Sequence, residues 1–411
     1  MSAAPPTTPT RQARLARAAV AALFLTNGAV FFNIVPRYPQ IKAELGLSNA
    51  VFGTALAAHP IGALLAGLLA GAAIRRFRSA RVASLGIVVT TVATLFIPLV
   101  PNWVAFGGVL FVVGALDAVV DVAQNAHGLR VQRLYGRSIV NSLHGVWSIG
   151  AVLGGLMGSA AAGLDMPLAV HLGISATLFS ATALVAYRFL LPGPEDAERP
   201  AEAQDGHPAE AQAGHPARST GRRSFTGAAI RMLAALGVLA ACGTLVEDAG
   251  ASWGALYLSG DLRTDAATAG LAVVALQVAM TVGRLTGDRV VDRFGQRTVV
   301  RSGGALAAVG MGAALAMPSV PTALAGFALA GLGVATLVPA AMHTADELPG
   351  LPAGAGLTIV SWLLRGGFLL SPPLVGFVAD LTSLRVGLLS VVLAGAVTFV
   401  LARVLVNRTP A

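Results

Sequence analysis

Residues 283–297 read GRLTGDRVVDRFGQR, two aspartates and four arginines set between long apolar runs. An echo stands at residues 75–81, RRFRSAR, again between two apolar runs. Setting Phe77 on Phe294 also superposes Gly86 on Gly303. The chain therefore carries a faint internal repeat with one copy in each half. Each copy is a short basic stretch between two apolar segments, so the apolar segments decide the architecture.

The 411 residues are 55% hydrophobic and only 11% charged, with a mean hydropathy of +0.74. Soluble domains carry about 25% charged residues, so the composition is that of a membrane protein. About 20 apolar residues suffice for a helix to cross the hydrocarbon core. Twelve such spans can be marked, at 16–36, 51–74, 83–100, 103–129, 138–162, 168–191, 227–257, 267–286, 299–317, 321–343, 354–378 and 384–405. Proline pairs such as Pro98/Pro101 and Pro318/Pro321 punctuate the breaks. Glycine (48 residues) and alanine are abundant, which suits close helix packing in lipid.

Charge orients the spans. Arg11, Arg14 and Arg17 precede span 1, Arg75, Arg76, Arg78 and Arg81 follow span 2, and Arg130, Arg133 and Arg137 follow span 4. Arg289, Arg293, Arg297 and Arg301 follow span 8, and Arg403 and Arg408 follow span 12. All fall on one side if twelve spans alternate, and the positive-inside rule makes that side cytoplasmic, with both termini. The net charge of +9 is thus a topology signal, and no nucleic-acid partner is expected. The lone Cys242 excludes an intrachain disulfide and reads as a packing residue. The first span shows no small-residue cleavage site, so it reads as a retained span rather than a signal peptide.

Residues 192–226 lack any apolar run and contain a tandem octapeptide, EAQDGHPA then EAQAGHPA. They read as a disordered cytoplasmic linker. The expected organisation is a tail at 1–15, a six-helix bundle at 16–191, the linker at 192–226, a second six-helix bundle at 227–405 and a tail at 406–411. The fold class is all-α: twelve transmembrane helices in two pseudo-symmetric bundles.

With these features the chain resembles the major facilitator superfamily over nearly its whole length. The specific motif is that family's loop between spans 2 and 3, roughly G-x-x-x-D-R-x-G-R-R, repeated between spans 8 and 9. Here the stronger copy is the second, which makes Asp288, Asp292, Arg293 and Arg297 gating-loop candidates by resemblance. In the first copy Arg75 holds the acidic position and Arg78 the glycine position. The segments Asp121-Val-Ala-Gln-Asn125, Ser142-Leu-His-Gly-Val-Trp-Ser148 and Glu247 with Trp253-Gly-Ala-Leu-Tyr257 are similar to a bacterial branch near the fucose permeases. The family's efflux motif on span 5, G-x-x-x-G-P, is half present, since Gly150 and Gly154 match but Gly155 stands in the proline position. The resemblance implies alternating access, with spans 1, 4, 7 and 10 lining a cavity.

The residues themselves point to a site on span 4. Residues 114–128, GALDAVVDVAQNAHG, place Asp117, Asp121, Gln124 and Asn125 on one arc of about 100° at 100° per residue. At 1.5 Å per residue Asp117 lies ~21 Å from Trp103, near the midplane. Translocon scales put one aspartate at a helix centre at about 2.5–3.5 kcal/mol. Two carboxylates one turn apart also repel, so the pair must pair with a cation, face water or bind a proton. Asp117 and Asp121 are proton-coupling candidates, against the alternative that they only pair with neighbouring helices. Glu247 of span 7 is a third, with water exposure at the outer mouth as its alternative. Trp253 and Tyr257 read as interfacial anchors.

Arg365, midway along span 11, is read as the deepest arginine, serving either as a substrate anchor or in a fixed ion pair. Pro372-Pro373 should break span 11 two turns further on. Asn27, Gln124, Asn125, Asn141 and His144 could contact a polar substrate or act as interhelical glue, and Trp147 and Trp362 could stack on a sugar ring or simply pack. The histidines show no metal spacing, there is no nucleotide-binding glycine loop and no lysine to complete one, and no nucleophile–base set appears. No metal, no cofactor and no catalytic residues are expected.

The reading is a proton-coupled secondary active transporter, a monomeric multi-pass protein of the cell membrane. Its partners are protons, the lipid bilayer and a small polar, sugar-like substrate. Drug or metabolite efflux by proton antiport and a transport-dead membrane sensor are the rivals.

Overall fold

Apolar runs closed by proline, glycine or a hydroxyl cap become helices, and the computed structural model shows twelve of spanning length among the described residues. Those residues are 9–135, 139–193, 195, 227–348 and 355–405, without the side chains of Asn141 and Ala228. Most of the linker at 192–226, read as disordered, and the tail at 406–411 lie outside them. The spans are Arg11–Glu44, Asn49–Gly67, Ser79–Leu99, Trp103–Tyr135, Ser142–Gly163, Leu168–Tyr187, Ala229–Gly260, Ala266–Phe294, Gln296–Ala316, Val320–Asp346, Ala355–Leu381 and Leu384–Val404. No strand occurs among the described residues.

Three boundaries differ from the sequence reading. Span 1 does not stop at Pro36: a 3-10 turn at Val35–Arg37 hands it to a further helix, Tyr38–Glu44. Span 8 continues as one helix to Phe294, so the DRVVDRF motif is helical rather than a loop. Span 11 is helical through Pro372-Pro373, and the expected break is absent. Proline removes an amide donor, but a helix in a membrane protein can keep its course where neighbouring helices support it. Here span 2 packs against the prolines closely enough that a Cβ on Gly53 would sit 2.2 Å from the Pro372 carbonyl oxygen. The interruptions fall elsewhere. Span 2 is divided into Asn49–Leu56 and Ala58–Gly67, and a further helix, Ala70–Phe77, follows it. Span 10 is divided into Val320–Val334 and Leu337–Asp346.

The internal repeat is visible in the backbone. Gly295 ends span 8 at φ 81°, ψ 145°, and Arg78 occupies the corresponding position at φ 71°, ψ 148°. Glycine reaches that region without a Cβ clash. For arginine such a conformation costs about 1–3 kcal/mol and persists only where its surroundings impose it.

The two halves of the first bundle's half-present efflux motif serve packing. Cβ atoms on Gly150 and Gly154 would sit 2.0 Å from the Leu25 oxygen and 2.4 Å from the Ala29 oxygen of span 1. Gly155 faces span 8 instead, where a Cβ would sit 3.2 Å from the Val274 side chain.

The bundles meet most closely at the end away from the arginine clusters. There Trp253 of span 7 meets Phe52 of span 2 edge to face, with centroids 6.1 Å apart. Trp253 and Tyr257 are 0% and 1% exposed, so the expectation that they are interfacial anchors is corrected. Span 7 faces the other bundle at this depth, and its aromatic rings fill the seam. Asp380 of span 11 adds a polar tie. Its carboxylate accepts the amides of Asn49 at 2.9 Å and Ala50 at 2.8 Å. These are free donors at the start of span 2, and Ser48 caps the next one, Val51.

Candidate functional site: a charged interior

The polar interior is assembled from six spans. On span 4, Asp117 lies beside Asn27 of span 1 and one turn from Asp121. Asp121 accepts from the Asn125 amide at 3.1 Å, and the Asn125 oxygen meets His144 Nε2 of span 5 at 3.2 Å. Asp121 also faces His144 and, across the two bundles, Arg365 of span 11. Thus four of the residues singled out on span 4's polar arc and its surroundings, Asp121, Asn125, His144 and Arg365, do come together. Arg365 is exposed, and no carboxylate lies within ion-pair distance of it among the described residues.

Other candidates lie differently. Gln124 is buried and donates to the Leu23 carbonyl of span 1 at 3.1 Å, a tie between helices. Trp147 meets Phe32 edge to face at 6.1 Å, while Trp362 is 53% exposed. The side chain of Asn141 is outside the described set. Asp288 and Asp292 are exposed and unpaired among the described residues. Arg293 lies over the ring of its neighbour Phe294, 5.4 Å from the centroid. Arg297 Nε donates to the Leu405 carbonyl at 3.0 Å.

Sequence reasoning missed a second interior cation. Arg284 of span 8 pairs with Glu247 of span 7 at 3.2 Å and also faces His144. Arg365 is therefore not alone, and Glu247 is not at the outer mouth. At 1.5 Å per residue Glu247 stands ~20 Å from the end of its helix at Gly260. In the sequence reading Arg284 stood two residues from the end of span 8 at 286; the helix runs on to Phe294, which leaves Arg284 well inside it. A fourth carboxylate stands next to Glu247 on span 7. Asp248 accepts from Ser252 Oγ at 3.2 Å and lies near Ser371 of span 11 and Glu247. Its Oδ2 is buried without a partner, and Tyr38 faces it from the other bundle.

The charges do not balance. Glu247 is matched by Arg284 and Asp121 faces Arg365, whereas the charged groups acting on Asp117 and Asp248 are other carboxylates. An unpaired interior carboxylate is expensive unless it meets water or binds a proton. The arrangement offers two carboxylates in the first bundle, Asp117 and Asp121, two carboxylates and two cations in the second, Glu247, Asp248, Arg284 and Arg365, and hydrogen-bonding amide and imidazole groups beside them. Among the described residues no group of three His, Cys, Asp or Glu side chains could hold a metal.

A sequence model described as Major Facilitator Superfamily matches residues 20–248 and 233–411. Membrane protein MosC of Rhizobium meliloti is 30% identical over 384 residues, covering 93% of this chain and 88% of that one. Among solved structures, a mutant form of the nucleoside transporter NupG superposes with a TM-score of 0.72 at 14% identity, covering 94% of this chain and 98% of that one. The transporter FucP, in an outward conformation, superposes with a TM-score of 0.59 at 17% identity, covering 96% and 99%.

Proposed function

Because the chain belongs to the major facilitator superfamily and is a transporter, not an enzyme, we propose that it couples uptake of a small polar, sugar-like metabolite to the proton gradient. The observation that carries this is the surplus of interior carboxylates over arginines. Asp117 has a carboxylate neighbour and, among the described residues, no facing cation, so a proton is the simplest ion to complete it. Asp121, Asn125, His144 and Arg365 form the substrate-facing set, since they span both bundles and present donors and acceptors together. A hydroxylated ring can use such a set, and NupG, by its name a nucleoside transporter, carries substrates with one.

Where the bundles touch supports alternating access. The arginine-rich end is cytoplasmic by the positive-inside rule. The outer end is closed by Trp253, Phe52 and Asp380, and the conformation is therefore inward-facing. The protein sits in the cell membrane as a monomer with both termini inside.

The test is accumulation in proteoliposomes. With the proton gradient directed inward, labelled sugars and nucleosides should accumulate, and a protonophore should abolish the accumulation. Gradient-driven loss of preloaded substrate instead would show antiport, and accumulation indifferent to the protonophore would show that protons are not coupled. A thermal-shift screen narrows the candidates beforehand, since a ligand stabilises by mass action.

A further inference from the structure

At the arginine-rich end of the first bundle, away from the interior, a hollow of about 640 Å³ lies between the starts of spans 1 and 3 and the end of span 6. Arg11, Arg78, Arg81 and Arg188 line it, and among the described residues no acid does. None of the four has a carboxylate partner among the described residues. Glu195, two residues beyond the lining Gly193, is committed elsewhere: its carboxylate accepts from the Ser79 amide and hydroxyl, both at 2.8 Å, and faces Arg130 at 3.8 Å. Exposed apolar groups, Leu15 at 39% and Phe189 at 45%, stand among these arginines. All four arginines sit at helix ends, the depth at which lipid headgroups lie.

Arg78 supplies an independent observation. Its backbone adopts the left-handed conformation that its repeat counterpart Gly295 takes at φ 81°, yet here the residue is arginine, at φ 71°. Glycine would satisfy the turn without strain. Strained residues cluster at ligand clamps, and this one lines the basic hollow.

We propose that this hollow binds the phosphate-bearing headgroup of an anionic phospholipid. The guanidinium groups chelate the phosphate oxygens through paired N–H donors. The acyl chains leave over Leu15 and Phe189 toward the bilayer. Basic pockets between transmembrane helices suit such headgroups. The site is separate from the substrate-facing set and does not depend on the proposed substrate or coupling.

The test uses the purified full-length protein in neutral detergent micelles. Melting is followed with short-chain phosphatidylglycerol, phosphatidylcholine or inorganic phosphate added at equal concentration. Phosphatidylglycerol should raise the melting midpoint by several degrees, and the other two should not. In Arg78→Gly/Arg188→Gln that response should vanish. Arg78→Gly alone should melt no lower than the parent without lipid, because the turn is relieved, which separates loss of lipid binding from misfolding. An equal response to phosphatidylcholine, or a response retained in the double variant, would overturn the proposal. An equal response to inorganic phosphate would assign the hollow to free phosphate and overturn the lipid source. A response that appears only after Asp196→Asn/Glu198→Gln would give the hollow to the chain's own linker and also contradict the proposal.

Discussion

The Asp380 carboxylate of span 11 accepts the Asn49 amide of span 2 across the two bundles at 2.9 Å. The tie exists only while the outer end is closed. A cap of this kind is worth about 1 kcal/mol, which corresponds to roughly a fivefold change in a two-state population. Asp380→Ala should therefore raise labelling, from outside, of a cysteine introduced at Ser252, in a Cys242→Ala background. Unchanged labelling would mean that the aromatic seam alone holds the outer end.

Glu247 and Arg284 form an ion pair with side chains 15% and 37% exposed. Breaking a fully buried pair costs about 3–5 kcal/mol, and partial exposure reduces this to roughly 1–2 kcal/mol. Glu247→Gln should lower the melting midpoint, and Glu247→Gln/Arg284→Gln should recover part of the loss because no unpaired charge remains. If the double variant melts lower than either single one, the pair is not the dominant interaction of these side chains.

Asp288 and Asp292 are exposed and unpaired in this conformation. The latch we propose, formed by them with Arg293 and Arg297, would belong to the opposite, inward-closed state, where charged hydrogen bonds to a helix end can form. Asp292→Asn should increase cytoplasmic accessibility of a cysteine at His144. Equal accessibility in the two proteins would place no latch there.

Topology can be read directly. Single cysteines at Ser2, Ala213 and Thr409 in a Cys242→Ala background should resist an impermeant thiol reagent in intact cells. Labelling at Ala213 from outside would contradict the six-plus-six arrangement.

Much of the fold was legible because lipid leaves few options: a run of about 20 apolar residues must satisfy its own backbone and becomes a helix. The span 4 cluster was legible for the same reason, since Asp117 and Asp121 stand out where charge is costly. What periodicity hides is the neighbour. Trp253 looks like an interfacial anchor until span 7 is packed on Phe52. Gln124 shares the aspartates' arc by angle, yet it turns to Leu23 because span 1 lies along that edge. Arg284 looked like an end residue of a span expected to stop at 286, whereas the helix runs on to Phe294, and Pro372-Pro373 misled because tight packing preserves the helix.

The central claim is that Asp117 carries the coupled proton, and it is tested most directly by Asp117→Asn in proteoliposomes. The substitution keeps the shape beside Asn27 but cannot titrate. With the substrate identified, counterflow exchange should persist near the parent rate, while accumulation driven by an inward proton gradient should be abolished. Asp121→Asn, measured alongside, should retain coupling. Accumulation against a gradient by Asp117→Asn at the parent level would contradict the account and move the proton to Asp248 or Glu247.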